Sequence, residues 1–236
     1  MIRKANHRDQ AALREIWGAA FGDGPDYAAF VTAQCLEKGT VLYCPEGRSM
    51  LTLFPLSLAC YGKMMLQGYY VYGVATHPVQ QHKGFSSMLL EMAARDAAFL
   101  LLFPATAELS RFYRKRGFST SVSVPAPILA EQSAISPENR LQQAPYMTYR
   151  ERAGQHQYAF IWSEPLFDFA YRECMFRSGL VLPPWFCYPA EKRFVCKPYM
   201  IPEKPGTTSF VQALGRFLVP VPGLHEKNSI FFLPLD

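Results

Sequence analysis

The chain has 236 residues, with 24 Lys+Arg against 19 Asp+Glu for a formal charge of +5, and half of its residues are apolar. That length buries a full core and holds one domain or two. With only 18% charged residues, disorder is excluded, and collagen-like and coiled-coil readings go with it. No apolar run approaches the ~20 residues of a membrane-spanning helix. The amino terminus, Met1-Ile2-Arg3-Lys4-Ala5-Asn6-His7, lacks the apolar stretch and cleavage site of a secretory signal. The six cysteines (Cys35, Cys44, Cys60, Cys174, Cys187 and Cys196) form no Cys-x-x-Cys pair and read as reduced thiols of a cytoplasmic protein. The five histidines do not group with them, so no metal is expected. The densest basic cluster, Arg111, Arg114, Lys115 and Arg116, reads as a solvated helix face, and no nucleic-acid partner is expected.

Along the chain, Met1 to Lys4 suits a short strand, and Asp9 to Phe21 a helix with Leu13, Ile16, Trp17 and Ala20 at helical spacing. Gly22-Asp23-Gly24-Pro25 breaks it, and a second helix runs from Asp26 to Glu37. Val41 to Cys44, Met50 to Cys60 and Lys63 to Ala75 then form an antiparallel meander. Helix Gly84 to Ala98, strand Phe99 to Phe103, helix Ala107 to Arg116 and strand Phe118 to Val124 follow. A meander followed by this alternation indicates an α/β (mixed α+β) fold, a mixed sheet with helices packed on it. Pro125-Ala126-Pro127 marks a boundary between domains 1–124 and 125–236. Beyond it the pattern predicts helices over Ser136 to Arg152, Trp162 to Arg177 and Thr208 to Leu218. Strands are predicted over Leu180 to Tyr188, Arg193 to Tyr199 and Ile230 to Leu233.

The segment Val71-Tyr72-Gly73-Val74-Ala75-Thr76-His77-Pro78-Val79-Gln80-Gln81-His82-Lys83-Gly84-Phe85-Ser86-Ser87 carries a strand end, a turn and a helix start. The first backbone amides of such a helix have no intrahelical partner and suit a pyrophosphate. Gly84 lets phosphate approach the backbone, Ser86 and Ser87 add hydroxyl donors, and Lys83 adds charge. A second block, Leu109-Ser110-Arg111-Phe112-Tyr113-Arg114-Lys115-Arg116-Gly117-Phe118, ends a helix at Gly117. Tyr113 either fills the core or, protonated at neutral pH with a pKa of about 10, donates to a leaving thiolate of pKa about 8.5.

Together the two blocks resemble the GNAT superfamily of acyl-coenzyme-A-dependent N-acetyltransferases. Its signature is Arg/Gln-x-x-Gly-x-Gly/Ala, followed some thirty residues later by Phe-Tyr-x-x-x-Gly-Phe. Gln81, Gly84 and Ser86 match the first with one departure at Ser86, and Phe112, Tyr113, Gly117 and Phe118 match the second in full. The resemblance covers about Met1 to Val124. It implies a mainly antiparallel sheet flanked by helices, with acetyl-CoA as co-substrate and no metal. It also implies that Val74, Ala75 and Thr76 pair with the pantetheine arm and that Gln81, His82, Lys83, Gly84, Phe85, Ser86 and Ser87 hold the pyrophosphate. Tyr113 takes the position of the general acid. The extra half resembles the tandem-lobe arrangement of the enhanced intracellular survival type, in which a second, smaller, degenerate lobe follows. Here that lobe, 125–236, is expected to be non-catalytic and to shape the acceptor pocket.

The function so implied is transfer of an acetyl group from acetyl-CoA to a primary amine of a small molecule or peptide, with neither nucleic acid nor membrane as partner. A backbone amide near Val74 is the expected stabiliser of the oxyanion. Glu108, His77 and Tyr70 are the candidate bases. A non-catalytic acyl-CoA-binding or regulatory module of the same fold is the alternative. A nucleotide P-loop is discounted, because Lys83 precedes Gly84 instead of following it.

Overall fold

In the computed structural model, residues 1–131, 138, 140–201, 208–233 and 235 are described. A two-residue strand, β1 (Arg3–Lys4), leads into α1 (Gln10–Phe21), where Leu13, Ile16 and Trp17 recur one turn apart and are buried. Gly22 ends α1 in the left-handed region, φ 74°, with its amide on the Gly18 carbonyl at 2.9 Å. A glycine adopts that conformation without steric cost. Pro25 opens α2 (Pro25–Lys38) at the position where a missing amide hydrogen costs nothing. The meander follows as β2 (Thr40–Cys44), β3 (Ser49–Cys60) and β4 (Lys63–Thr76), and then come α3 (Phe85–Ala94), β5 (Phe99–Leu102), α4 (Ala107–Arg114) and β6 (Thr120–Pro125). These agree with the sequence expectations to within a few residues at each end, α3 being the shortest against its expected span.

After β7 (Ile128–Glu131) the agreement loosens. The expected helix start at Ser136 lies outside the described residues, and the helix present is α5 (Tyr146–Ala153), after Pro145. The segment expected to open a helix at Trp162 is first a strand, β8 (Tyr158–Trp162), and α6 (Glu164–Phe176) follows it with Pro165 in its first turn. Leu180 to Tyr188 folds back on itself as β9 (Leu180–Leu182) and β10 (Trp185–Ala190), with β11 (Arg193–Pro198) next. The helix expected over Thr208 to Leu218 is a strand, β12 (Phe210–Phe217), and β13 (Ser229–Phe231) closes the chain. Phe210, Ala213, Leu214 and Phe217 have helical spacing, but strand pairing on both sides outweighs so weak a local preference.

That strand decides the architecture. β12 lies between β5 and β6 and pairs antiparallel with both, Leu214 facing Leu102 on one side and Ser121 on the other. β13 joins β6 to β8 in parallel, and β8 returns antiparallel to β3, Leu56 opposite Trp162. The nine-stranded sheet therefore contains a closed circuit, β3-β4-β5-β12-β6-β13-β8 and back to β3, with β1 and β2 continuing from β3. Closure gives every strand of the circuit a neighbour on each side. Three strands of the carboxyl half, β8, β12 and β13, thus complete this sheet, and its other four form a second one. The smaller sheet, β7-β11-β10-β9, is antiparallel throughout.

Side chains alternate between two cores, as a pleated strand requires. Along β5, Phe99 and Leu101 join a core with α1, α2, α5 and α6, while Leu100 and Leu102 join another with α3 and α4. The first is rich in aromatics, with Tyr70 edge-on to Trp162 at 5.1 Å and Phe99 edge-on to Phe160 at 5.4 Å between ring centroids. Each such fully buried ring contributes about 1.5–3 kcal/mol relative to exposure.

Candidate active site

β4 and β5 are paired, in parallel, only at Tyr69 with Leu100 and Tyr70 with Leu101. Past Tyr70, β4 continues along β3 to Thr76, whereas the chain after β5 turns away at Phe103-Pro104, and a proline has no amide hydrogen with which to extend a ladder. The strands part, and a cavity of about 310 Å³ opens between them. Val71 to Val74, Leu102 to Ala105, and Leu109 and Tyr113 of α4 form one end of it. A bulge in β4 helps: Met50 faces Ala75 while Thr52 faces Tyr72, so Gly73 and Val74 share one partner position. Gly73 has φ 59°, and a Cβ there would stand 2.5 Å from the Trp17 ring. Only glycine lets the strand pass the indole.

Beyond β4 the chain makes a short 3-10 turn, Pro78–Gln80, and starts α3 from Gly84 at φ 84°. The first bond of that helix runs from the Met88 amide to the Gly84 carbonyl at 3.1 Å, so the amides of Phe85, Ser86 and Ser87 have no intrahelical acceptor. Nothing lies within 4 Å of where a Gly84 side chain would project. The surrounding side chains brace the loop. Gln81 Nε2 donates to the Thr76 carbonyl at 3.3 Å, Ser86 Oγ meets Thr76 Oγ1 at 3.0 Å, and Thr76 Oγ1 meets Ser49 Oγ at 2.7 Å. Ser87 Oγ accepts from Arg116 Nε at 2.7 Å, and Lys83 Nζ donates to Gln80 Oε1 at 2.8 Å. Phe85 packs its ring over Gly47, and His82 is exposed with φ 64°. Of the strand end, Val74 lines the cavity, while Ala75 and Thr76 have buried side chains.

Tyr113 is buried, with Phe112 and Phe118 edge-on to it at 5.2 and 5.7 Å. Among the described residues no hydrogen bond takes its hydroxyl, and the side chain lines the cavity. Burial pushes its phenol up to about 12, against a smaller downward pull from Arg116. Of the candidate bases, Tyr70 lines the same cavity but donates its hydroxyl to the Leu235 carbonyl at 2.7 Å. Glu108 sits exposed in the first turn of α4. The His77 ring caps the 3-10 turn, Nδ1 accepting from the Val79 amide at 3.4 Å. Neither of these two lines the cavity.

The other end of the cavity holds residues that sequence patterning did not single out. Trp17, Phe21, Asp23, Tyr27 and Tyr72 line it from the amino half, and Arg177 and Leu235 from the carboxyl half. The left-handed turn at Gly22 brings Asp23 back over α1, where its carboxylate accepts from Trp17 Nε1 at 2.9 Å. Tyr27 donates to the buried Glu173 carboxylate at 3.0 Å, Arg177 ion-pairs with the same oxygen, and the guanidinium lies 3.9 Å over the Tyr27 ring. Burial pushes the Tyr27 and Tyr72 phenols upward. Tyr27 and Glu173 are 146 residues apart, and no local pattern announces such a pair.

Among the described residues no group of three or more His, Cys, Asp or Glu is placed to hold a metal ion, and no helix is long and apolar enough to cross a membrane. Similar solved structures include a GCN5-related N-acetyltransferase from Kribbella flavida, 12% identical over 93% of this chain and 71% of that one, with a TM-score of 0.58. A conserved protein of unknown function from Enterococcus faecalis gives the same identity and TM-score over 93% and 73%. A protein from Pyrococcus horikoshii is 13% identical, with a TM-score of 0.54 over 100% of this chain and 94% of that one. At such identities the likeness speaks for the fold alone. No curated protein matches the sequence. The family model for the acetyltransferase (GNAT) domain matches residues 1–121, about half the chain, spanning the split strands, the Gly84 helix start and Tyr113, and the chain belongs to the GNAT acetyltransferase family.

Proposed function

We propose that this chain is an acetyl-CoA-dependent N-acetyltransferase that moves the acetyl group from the thioester directly to a primary amine. The observation that carries the proposal is the Tyr113 hydroxyl, without a hydrogen-bond partner among the described residues, in the wall of the cavity where β4 and β5 part. In this reading the amides of Phe85, Ser86 and Ser87 take the pyrophosphate at the positive end of the α3 dipole. The free backbone of β4 at Val74 receives the pantetheine arm, and an amide there faces the oxygen on which charge develops. The ammonium first loses a proton to solvent, the free amine nitrogen bonds to the acetyl carbon, the carbon–sulfur bond breaks as Tyr113 gives its proton to the departing sulfur, and the proton then shed by the nitrogen returns through solvent to the Tyr113 phenolate. With its phenol near 12, Tyr113 holds that proton across the whole neutral range; it is a weaker acid than a free thiol of ~8.5, so the transfer is drawn forward by return of a proton to the phenolate.

Residues from the carboxyl half, Arg177 and Leu235, line the same cavity as Val74 and Tyr113. This supports the expectation that residues beyond 124 shape the acceptor end.

Labelled acetyl-CoA offered with a panel of primary amines tests the proposal. Transfer should be measurable with the wild type, and Tyr113→Phe should lower kcat by about a hundredfold while CoA affinity stays within about twofold, since Phe preserves the packing. Unchanged turnover in that variant would make Tyr113 a core residue. CoA binding without transfer to any amine would favour a non-catalytic acyl-CoA-binding module.

A further inference from the structure

We infer that the acceptor end of the cavity recognises its substrate as a cation: an ammonium carried on an apolar or aromatic body, held by the Asp23 carboxylate among the rings of Trp17, Phe21 and Tyr72. The assignment rests on the acetyltransferase reading for where the acceptor enters, and on separate observations for what it is.

Charge comes first. Among the described residues only two side chains lining the cavity are charged, Asp23 and Arg177. Arg177 is already compensated, because Glu173 lies buried beneath it in an ion pair and the guanidinium stacks on Tyr27. Among the described residues Asp23 has no such counter-charge: its one hydrogen bond from them comes from the neutral Trp17 indole at 2.9 Å. The lining therefore carries one uncompensated negative charge, and a cation is the ligand that balances it.

The walls point the same way. Trp17 lies 4.6 Å from Phe21 and 5.5 Å from Tyr72 between ring centroids, in tilted pairs. Tilted rings turn parts of their negative faces toward the space between them, and such faces attract a desolvated ammonium. Phe21 remains half exposed beside this space, which suits a wall completed by a ligand. An anionic head group would find its natural partner, Arg177, already held by Glu173.

Three probes with one body and different heads separate these possibilities: 2-phenylethylamine, 2-phenylethanol and 3-phenylpropanoate, titrated calorimetrically into the wild type, Asp23→Asn and Arg177→Met. Asparagine keeps an oxygen for Trp17 Nε1, so the fold is spared. The amine is expected to bind at least about tenfold more tightly than the alcohol, the worth of one charge-assisted hydrogen bond, and the acid most weakly. Asp23→Asn should shrink the amine's advantage to under about threefold, and Arg177→Met should leave that advantage standing. Equal binding of amine and alcohol, no amine binding at millimolar concentration, or an advantage that survives Asp23→Asn would overturn the inference. Tightest binding of the acid, lost in Arg177→Met, would overturn it in favour of an anionic acceptor. A thermal shift with CoA, run in parallel, reports the acetyltransferase reading separately: no CoA shift alongside a clear amine preference would defeat that reading and leave the cation site in place.

Discussion

The cleft between β4 and β5 and the aromatic block around α5 and α6 are built from the same residue types, used in opposite ways. In the block, Tyr149 is fully buried, stacks on Phe167 at 4.4 Å, and its hydroxyl accepts the Trp162 backbone amide at 2.9 Å. The Trp162 indole in turn donates to the Phe232 carbonyl at 3.2 Å. In the cleft, Tyr113 packs against two rings, yet among the described residues its hydroxyl has no hydrogen bond, and at the start of α3 the amides of Phe85 to Ser87 have no intrahelical acceptor. A buried polar group normally has a partner. The satisfied groups of the block are structural, and in the function proposed above a ligand supplies the partner of the Tyr113 hydroxyl, which faces the cavity.

The comparison is broken most severely by removing one of its halves. A fragment ending at residue 124 loses β8, β12 and β13, which exposes the pairing edges of β3, β5 and β6 and opens the circuit. We expect that fragment to be aggregated when expressed, measured as the soluble fraction by size-exclusion chromatography. A monomeric, cooperatively folded fragment would show that the carboxyl half is not needed for the sheet. Within the cleft, Gly84→Asp is expected to abolish the rise in melting temperature that CoA gives the wild type. Asp is among the residues that tolerate the left-handed region, and nothing crowds the position, so the loss would come from a carboxylate set against the pyrophosphate. In the block, Tyr149→Phe strands the buried Trp162 amide and should cost about 1–3 kcal/mol in denaturant unfolding, with kcat per folded molecule unchanged. A cost below about 0.3 kcal/mol, or a fall in kcat, would remove the contrast between the two regions.

How much of this was legible in the sequence follows the same division. The amino half is punctuated by glycines at turns, Gly22, Gly62, Gly84 and Gly117, each with positive φ, and its helices show clean apolar spacing, so its elements and the helix start at Gly84 were readable. The strands β8 and β12 were not. Both have neighbours on each side; β8, Tyr158 to Trp162, is apolar on both faces and lacks the alternation that marks a half-buried strand, and β12 carries Gln212 and Arg216 among apolar residues at helical spacing. The end of the cavity at Asp23 and Arg177 was invisible for another reason. Asp23 reads as part of a helix break, Tyr27 as a core aromatic and Arg177 as a helix end, and only the closure of the chain brings all three to one cavity. Motif spacing finds sites made by one loop, and pairing across 146 residues is set by topology.

A structure of the CoA complex tests the central claim most directly. The account predicts the pyrophosphate oxygens within about 3.2 Å of the amides at Phe85 to Ser87, the pantetheine arm running beside Val74 in the opening between β4 and β5, and the sulfur within hydrogen-bond reach of the Tyr113 hydroxyl. CoA bound elsewhere on the molecule, or seated in the cleft with its sulfur away from Tyr113, would contradict it.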